Sequence, residues 1–70
     1  TLVYQLSKFY EGMRHYHRKK GTQIVFIHAK GEGVLRNALL HELRTKYPQC
    51  YWQDAPFHKY GFGATKVTIR

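Results

Sequence analysis

The sequence predicts a small two-layer α/β (α+β) domain with the element order α-β-α-β-β. Three observations predict it: an apolar stripe at helical spacing opens the chain, a β-branched apolar run lies at residues 24–27, and strict alternation marks residues 64–70. With 70 residues, of which 43% are hydrophobic, the chain is long enough for one core. We therefore expect a single domain over residues 1–70.

The first helix is predicted over residues 1–20. Basic residues 18–20 suit the negative end of a helix dipole, and Gly21 can adopt the left-handed conformation that often follows a helix. The apolar positions recur at spacings of three and four residues, at Leu2, Leu6, Phe9, Met13 and Tyr16.

The middle of the chain predicts a strand, a turn and a second helix. A strand at residues 23–28 contains the continuous apolar run, which is typical of an inner strand buried on both faces. Residues 29–33 form the turn. The second helix covers residues 33–47, and Pro48 prevents its continuation. Its buried stripe is Leu35, Ala38, Leu39 and Leu43.

The last third of the chain predicts two strands. Residues 50–54 form the first, and the Gly- and Pro-containing residues 55–63 form a loop. The last strand places Thr65, Val67 and Ile69 on its buried face. Tyr51, Trp52 and Phe57 are expected to pack in or beside the core.

The charge balance favours an anionic partner. Lys and Arg number 12 against 4 Asp and Glu, which gives a formal net charge of +8. Nucleic acid, an acidic protein and an anionic membrane surface all fit this charge. No apolar run is long enough to span a membrane. A single cysteine, Cys50, excludes an internal disulfide and fits a reducing compartment such as the cytoplasm.

The strand–turn–helix at residues 24–36 predicts an anion site. His28 ends the strand, Lys30 follows, and a helix begins where free N–H groups and the positive dipole end attract phosphate. Gly31 and Gly33 let the backbone approach a ligand closely. Arg36 adds a second cation. Arg36 also occupies the third glycine position of a G-x-G-x-x-G pattern, so no nucleotide cofactor is expected.

His28 is the candidate catalytic residue, because an imidazole can serve as base or acid in phosphodiester hydrolysis. The alternative is that His28 only caps the strand end by hydrogen bonding. The carboxylates are too scattered to predict two-metal catalysis. One cysteine and the His15-x-His17 spacing predict no zinc site. We expect no metal.

A second glycine cluster precedes the last strand. Lys59, Gly61, Gly63 and Thr65 can form a basic edge that contacts sugar, phosphate or an exposed base. The alternative is a tight loop packed by its own aromatic residues.

Two motifs resemble the Smr (small MutS-related) domain. The segment His28-Ala29-Lys30-Gly31-Glu32-Gly33 is similar to the family's His-Gly-Lys-Gly-x-Gly turn, with Ala29 in place of one glycine. Residues 55–56 (Ala-Pro) and 60–67 (Tyr-Gly-Phe-Gly-Ala-Thr-Lys-Val) resemble its Ala-Pro…Gly-x-Gly-Ala-Thr-x-Val ending.

The resemblance implies a β-α-β-α-β-β fold with a mixed sheet, similar to the C-terminal domain of bacterial translation initiation factor three. It implies nucleic-acid binding and, in several members, nicking endonuclease activity of the DNA repair type. Its phosphate-facing motif maps onto His28, Lys30, Gly31 and Gly33. The family's first strand, with Leu-Asp-Leu-His-Gly, is not found here, so we expect a fragment whose strand at residues 24–27 has lost one neighbour.

Three hypotheses follow. The first is an Smr-type domain that binds branched, nicked or duplex DNA, or RNA, and that nicks in the complete protein. The second is a non-catalytic basic module for structured RNA, the ribosome or a protein partner. The third is a structural domain whose charge aids solubility. The sequence predicts neither the oligomeric state nor a choice between DNA and RNA.

Overall fold

The computed structural model describes residues 2–28, 33–55 and 63–70. Its elements follow the predicted order, in two helices and three strands. They are α1 (Leu2–Tyr16), β1 (Gln23–Ile27), α2 (Val34–Lys46), β2 (Tyr51–Ala55) and β3 (Ala64–Thr68). The α+β class and the order α-β-α-β-β are therefore confirmed.

The three strands form one sheet in the order β1-β3-β2. β3 pairs antiparallel with both neighbours, so β1 and β2 run in the same direction on either side of it. The mixed pairing expected of the family's complete sheet is not among the pairings of these described strands. The carboxyl ends of β1 and β2 therefore lie at the same end of the sheet, on either side of the start of β3.

Both helices pack on one face of the sheet. Phe9 and Met13 of α1 and Leu43 of α2 meet Val67 and Ile69, all of them at most 2% exposed. The buried face predicted for the last strand is confirmed, because Thr65, Val67 and Ile69 are buried, but Ala64 on the opposite face is buried as well. Burial of such side chains stabilises the fold by about 2 kcal/mol each.

No helix in the described part of the chain has the length and apolar character needed to cross a membrane.

The first helix is shorter than predicted. α1 ends at Tyr16 instead of residue 20. The His17 backbone N–H still makes a helical bond to the Met13 oxygen at 2.8 Å. The His17 ring Nδ1 donates to the oxygens of Met13 and Arg14 at 3.0 and 3.1 Å, so it satisfies an Arg14 acceptor that a further turn would have used. Gly21 does adopt a left-handed φ of 90°, but in the turn that leads into β1, where its N–H donates to the Ile69 oxygen.

The pattern-based prediction that β1 is an inner strand is wrong for the described residues, whereas the edge position implied by the resemblance is the one the described strands show. β1 lies at the edge of the sheet and pairs with β3 alone. Ile24 and Phe26 pack against the core, whereas Ile27 is 52% exposed. A continuous apolar run indicates a strand but does not distinguish an inner strand from an edge strand.

The expected packing of the aromatic residues of β2 is confirmed in part. Trp52 packs against the core, with the Arg44 guanidinium 5.9 Å from the centre of its ring. The prediction that Tyr51 packs in or beside the core is wrong, since Tyr51 lies on the opposite face of the sheet and is 43% exposed. Phe57 lies outside the described residues.

Candidate functional site

His28 follows β1 and is bonded twice to the segment around β3. Its backbone N–H donates to the Gly63 oxygen at 3.0 Å and so extends the β1–β3 pairing by one step. Its ring Nε2 is hydrogen bonded to Thr65 Oγ1 at 3.0 Å, with a direction that depends on the imidazole tautomer. Two residues of the predicted second cluster, Gly63 and Thr65, therefore meet His28 directly.

Thr65 is the buried anchor of this site. It lies on β3, directly opposite Phe26 on one side and Asp54 on the other, and it is 0% exposed. A buried hydroxyl requires a hydrogen-bond partner, and the imidazole of His28 provides it. The bond holds one ring nitrogen of His28 in place.

Arg36 and Asp54 form a bidentate pair beside the imidazole. Arg36 Nη2 donates to both carboxylate oxygens of Asp54 at 3.0 Å, and Nε donates to Oδ1 at 3.2 Å. The side chains are 34% and 59% exposed, so the pair is reached by solvent and by ligands. We call His28, Gly33, Arg36, Asp54 and Thr65 together the His28 site.

Sequence reasoning missed Asp54 as a site residue. Its only signal was a carboxylate at the carboxyl end of a predicted strand, the position where many α/β proteins hold functional groups. The pairing with Arg36 spans 18 residues of sequence and depends on how α2 packs against β2. That packing cannot be read from residue types alone.

The surroundings lower the pKa of His28 below its ordinary value of 6.5. Burial disfavours the charged imidazolium, and the Arg36 guanidinium acts in the same direction. The Asp54 carboxylate opposes both, but it does not outweigh them. His28 is therefore predominantly neutral at pH 7 and has a nitrogen lone pair able to accept a proton.

Gly33 sets the start of α2. It adopts φ 81° and ψ 9°, and its carbonyl accepts the first bond of the helix, from Asn37 N at 2.8 Å. A Cβ here would have room, with Asn37 Nδ2 3.8 Å away, so glycine is required by the backbone conformation and not by crowding. Among the described residues, no side chain caps the helix start and no acidic residue lies in its first turn. The positive end of the α2 dipole therefore lies at Gly33.

Four of the predicted site residues lie outside the described residues: Lys30, Gly31, Lys59 and Gly61. The other five, His28, Gly33, Arg36, Gly63 and Thr65, belong to the segments that meet where β1 ends and α2 begins.

The site combines a neutral imidazole, a guanidinium and the start of α2. An imidazole can move a proton at pH 7, and a guanidinium can hold a phosphate oxygen. Within the described part of the chain, the Arg36 bonds to Asp54 use Nε and Nη2, which leaves the Nη1 hydrogens for another acceptor. The arrangement suits a phosphodiester with one non-bridging oxygen at the cation.

These features define a small basic α+β domain in which a histidine, an arginine and a helix start lie close together at one end of the sheet. The family model for the Smr domain matches residues 5–70, nearly the whole chain. The chain therefore belongs to the Smr domain family, whose members are nucleic-acid-binding modules. Comparison with curated proteins and with solved structures gave no match.

Proposed function

We propose that this domain binds the nucleic-acid backbone at the His28 site and that His28 acts in cleavage of a phosphodiester bond there. The observation that carries the proposal is that His28, Arg36 and the start of α2 lie close together at one end of the sheet, where the His28–Thr65 bond holds the imidazole. The formal net charge of +8 supports the proposal, because it attracts a polyanion to the domain.

Binding divides between Arg36 and the helix start. Arg36 contacts a phosphate oxygen, and Asp54 holds the guanidinium in position while reducing its net charge. The N–H groups after Gly33 offer a second anion contact. Lys30, Gly31, Lys59 and Gly61 are proposed as further backbone contacts on their sequence alone.

We assign the catalytic role to His28. As a neutral base, it takes the proton from a water that attacks phosphorus, and the imidazolium then returns a proton to the leaving oxygen. The lowered pKa supports the first role, because the neutral form predominates at pH 7. Thr65 is a positioning residue, since its hydroxyl holds the ring.

A second candidate function is binding without cleavage, to structured RNA, the ribosome or a protein. The bidentate Arg36–Asp54 pair favours it, because this carboxylate is held by a guanidinium and is not hydrogen bonded to the imidazole. The His28–Thr65 bond also fits a purely structural strand-end contact. The two functions share the binding surface and differ only in chemistry.

We further propose that residues 1–70 form one Smr domain acting in the cytoplasm in DNA repair. The unpaired thiol of Cys50 fits that compartment.

A nicking assay with supercoiled DNA and structured RNA separates the two functions. The full-length protein is compared with His28→Gln and with His41→Gln, which removes an exposed histidine from α2. If His28 is catalytic, only His28→Gln loses nicking, by about a hundredfold or more. Undiminished nicking by His28→Gln excludes the catalytic role, and tight binding without nicking by the parent supports the second function.

A further inference from the structure

The sheet has a second face, on which the helices do not pack. Because directly paired residues share a face, this face carries nine strand residues: Gln23, Val25, Ile27, Tyr51, Gln53, Ala55, Ala64, Lys66 and Thr68. Ala55 and Ala64, at one end of the strands, are buried. We call the polar part toward the other end, formed by Gln23, Tyr51, Gln53, Lys66 and Thr68 together with Arg70, the open sheet face. The helices pack on the other side, against Val67 and Ile69 and their neighbours.

The open sheet face carries cations and hydrogen-bonding groups, with no carboxylate among its members. Lys66 and Arg70 provide two positive charges, and Gln23, Gln53 and Thr68 provide amide and hydroxyl groups. Asp54, the one carboxylate of β2, pairs with Thr65 and so lies on the other face. This charge pattern is complementary to a polyanion and unfavourable for a cationic ligand.

Tyr51 and Arg70 form a stacked pair on this face. The Arg70 guanidinium lies 4.9 Å from the centre of the Tyr51 ring. The Tyr51 hydroxyl donates to Gln53 Oε1 at 3.2 Å, which restricts the ring. Tyr51 is 43% exposed although it is large and partly apolar. Aromatic rings and guanidinium planes are the surfaces on which unpaired bases stack.

The size of the face suits a few nucleotides. Lys66 and Arg70 are four residues apart, which spans about 13 Å of extended strand. Sheet faces with exposed aromatic residues stack two or three bases of single-stranded RNA in this way. The amide and hydroxyl groups of Gln23, Gln53 and Thr68 match the donor and acceptor capacity of ribose 2′-hydroxyls.

We propose that the open sheet face binds single-stranded RNA, with one base stacked on the Tyr51–Arg70 pair and the backbone along Lys66. This inference deepens the proposed nucleic-acid binding and rests on it. The surface is distinct from the His28 site: it lies on the opposite side of the sheet, and Tyr51 begins β2, whereas Asp54 lies near the end of that strand. One domain then holds an unpaired strand on one surface and a cleavable phosphate at another.

Fluorescence anisotropy with a labelled RNA of about ten nucleotides tests the proposal on the full-length protein. Tyr51→Ala is expected to weaken binding about tenfold, and Tyr51→Phe to leave it nearly unchanged, because only the ring is needed for stacking. Arg70→Gln weakens binding more than Arg18→Gln, a matched charge loss at an exposed position near the end of α1. Circular dichroism and melting temperature confirm that each variant is folded.

Duplex DNA binding and nicking are measured on the same variants, with His28→Gln as the variant of the other site, to distinguish the possible outcomes. Loss of RNA binding in Tyr51→Ala with unchanged duplex binding and nicking supports the open sheet face. The proposal is overturned if Tyr51→Ala binds RNA as tightly as the parent does, or if the parent binds no RNA, whether or not the duplex is bound. Equal affinity for single-stranded DNA of the same sequence overturns the assignment to RNA. Failure to bind any nucleic acid overturns the proposed function as well.

Discussion

Thr65 and Asp54 lie directly opposite each other on β3 and β2, and each holds one side chain of the site. Thr65 is hydrogen bonded to the His28 imidazole, and Asp54 accepts from the Arg36 guanidinium. One cross-strand pair thus places a proton-transfer group beside a cation. The imidazole responds to the neighbouring pair, because both Arg36 and Asp54 act on its pKa.

Removing the Thr65 hydroxyl tests its positioning role. Thr65→Val keeps the buried volume, so we expect the free energy of unfolding to change by about 1 kcal/mol or less. Nicking by the full-length protein falls, because the imidazole loses the bond that orients it. Urea unfolding and the nicking assay measure the two effects. Thr45→Val, at an exposed position of α2 outside both proposed binding surfaces, is the control, and equal nicking by both variants contradicts the role.

Neutralising Asp54 strengthens binding at the His28 site. Asp54→Asn removes a negative charge beside the phosphate contact and releases Arg36, at a stability cost below about 1 kcal/mol for such an exposed pair. Affinity for DNA rises, whereas Arg36→Gln lowers it and reduces the slope of log K against log salt by about 1. Anisotropy over about 50–200 mM salt measures this.

The matched control for Asp54→Asn is Glu11→Gln. It removes the same charge from the Lys8–Glu11 pair on α1, which is also solvent exposed. An equal gain in affinity from both variants shows that only net charge matters and contradicts a specific role for Arg36.

The lowered pKa of His28 predicts a pH-dependent stability. Below its ordinary value of 6.5, the unfolded chain binds a proton more readily than the folded chain does. His28 therefore lowers the free energy of unfolding as the pH falls from about 7 toward its folded pKa, and the loss is complete below that value. Urea unfolding from about pH 5 to pH 8 gives a shallower decline for His28→Gln than for the parent. A steeper decline in the variant contradicts the lowered pKa.

The two left-handed glycines separate a backbone effect from a binding effect. Gly33→Ala and Gly21→Ala each place a Cβ at positive φ, 81° and 90°, without meeting a close neighbour. Each is expected to destabilise the fold by about 1–2 kcal/mol. Only Gly33→Ala weakens DNA binding, because only Gly33 begins α2 at the site. Thermal unfolding and anisotropy of the pair measure this, and equal binding by both contradicts an anion contact at the helix start.

Local patterns predicted the elements, whereas the pairing between them decided the site. The stripe of α1 and the alternation of β3 identified Phe9, Met13 and Val67 as core residues, because the period of a side-chain pattern reflects a buried face. The same patterns did not show that α1 ends at Tyr16, and only the resemblance implied that β1 lies at an edge. His28 and Thr65 were selected from different motifs, and only the sheet register brings them within 3.0 Å.

Titration of isotope-labelled protein with a nicked duplex, followed by amide and imidazole NMR signals, tests the central claim most directly. We predict that the largest shifts occur at His28, Gly33, Arg36 and Gly63, and that they weaken with added salt. Shifts of equal size spread evenly over the basic surface, with the His28 signals unchanged, would contradict phosphate binding at the His28 site.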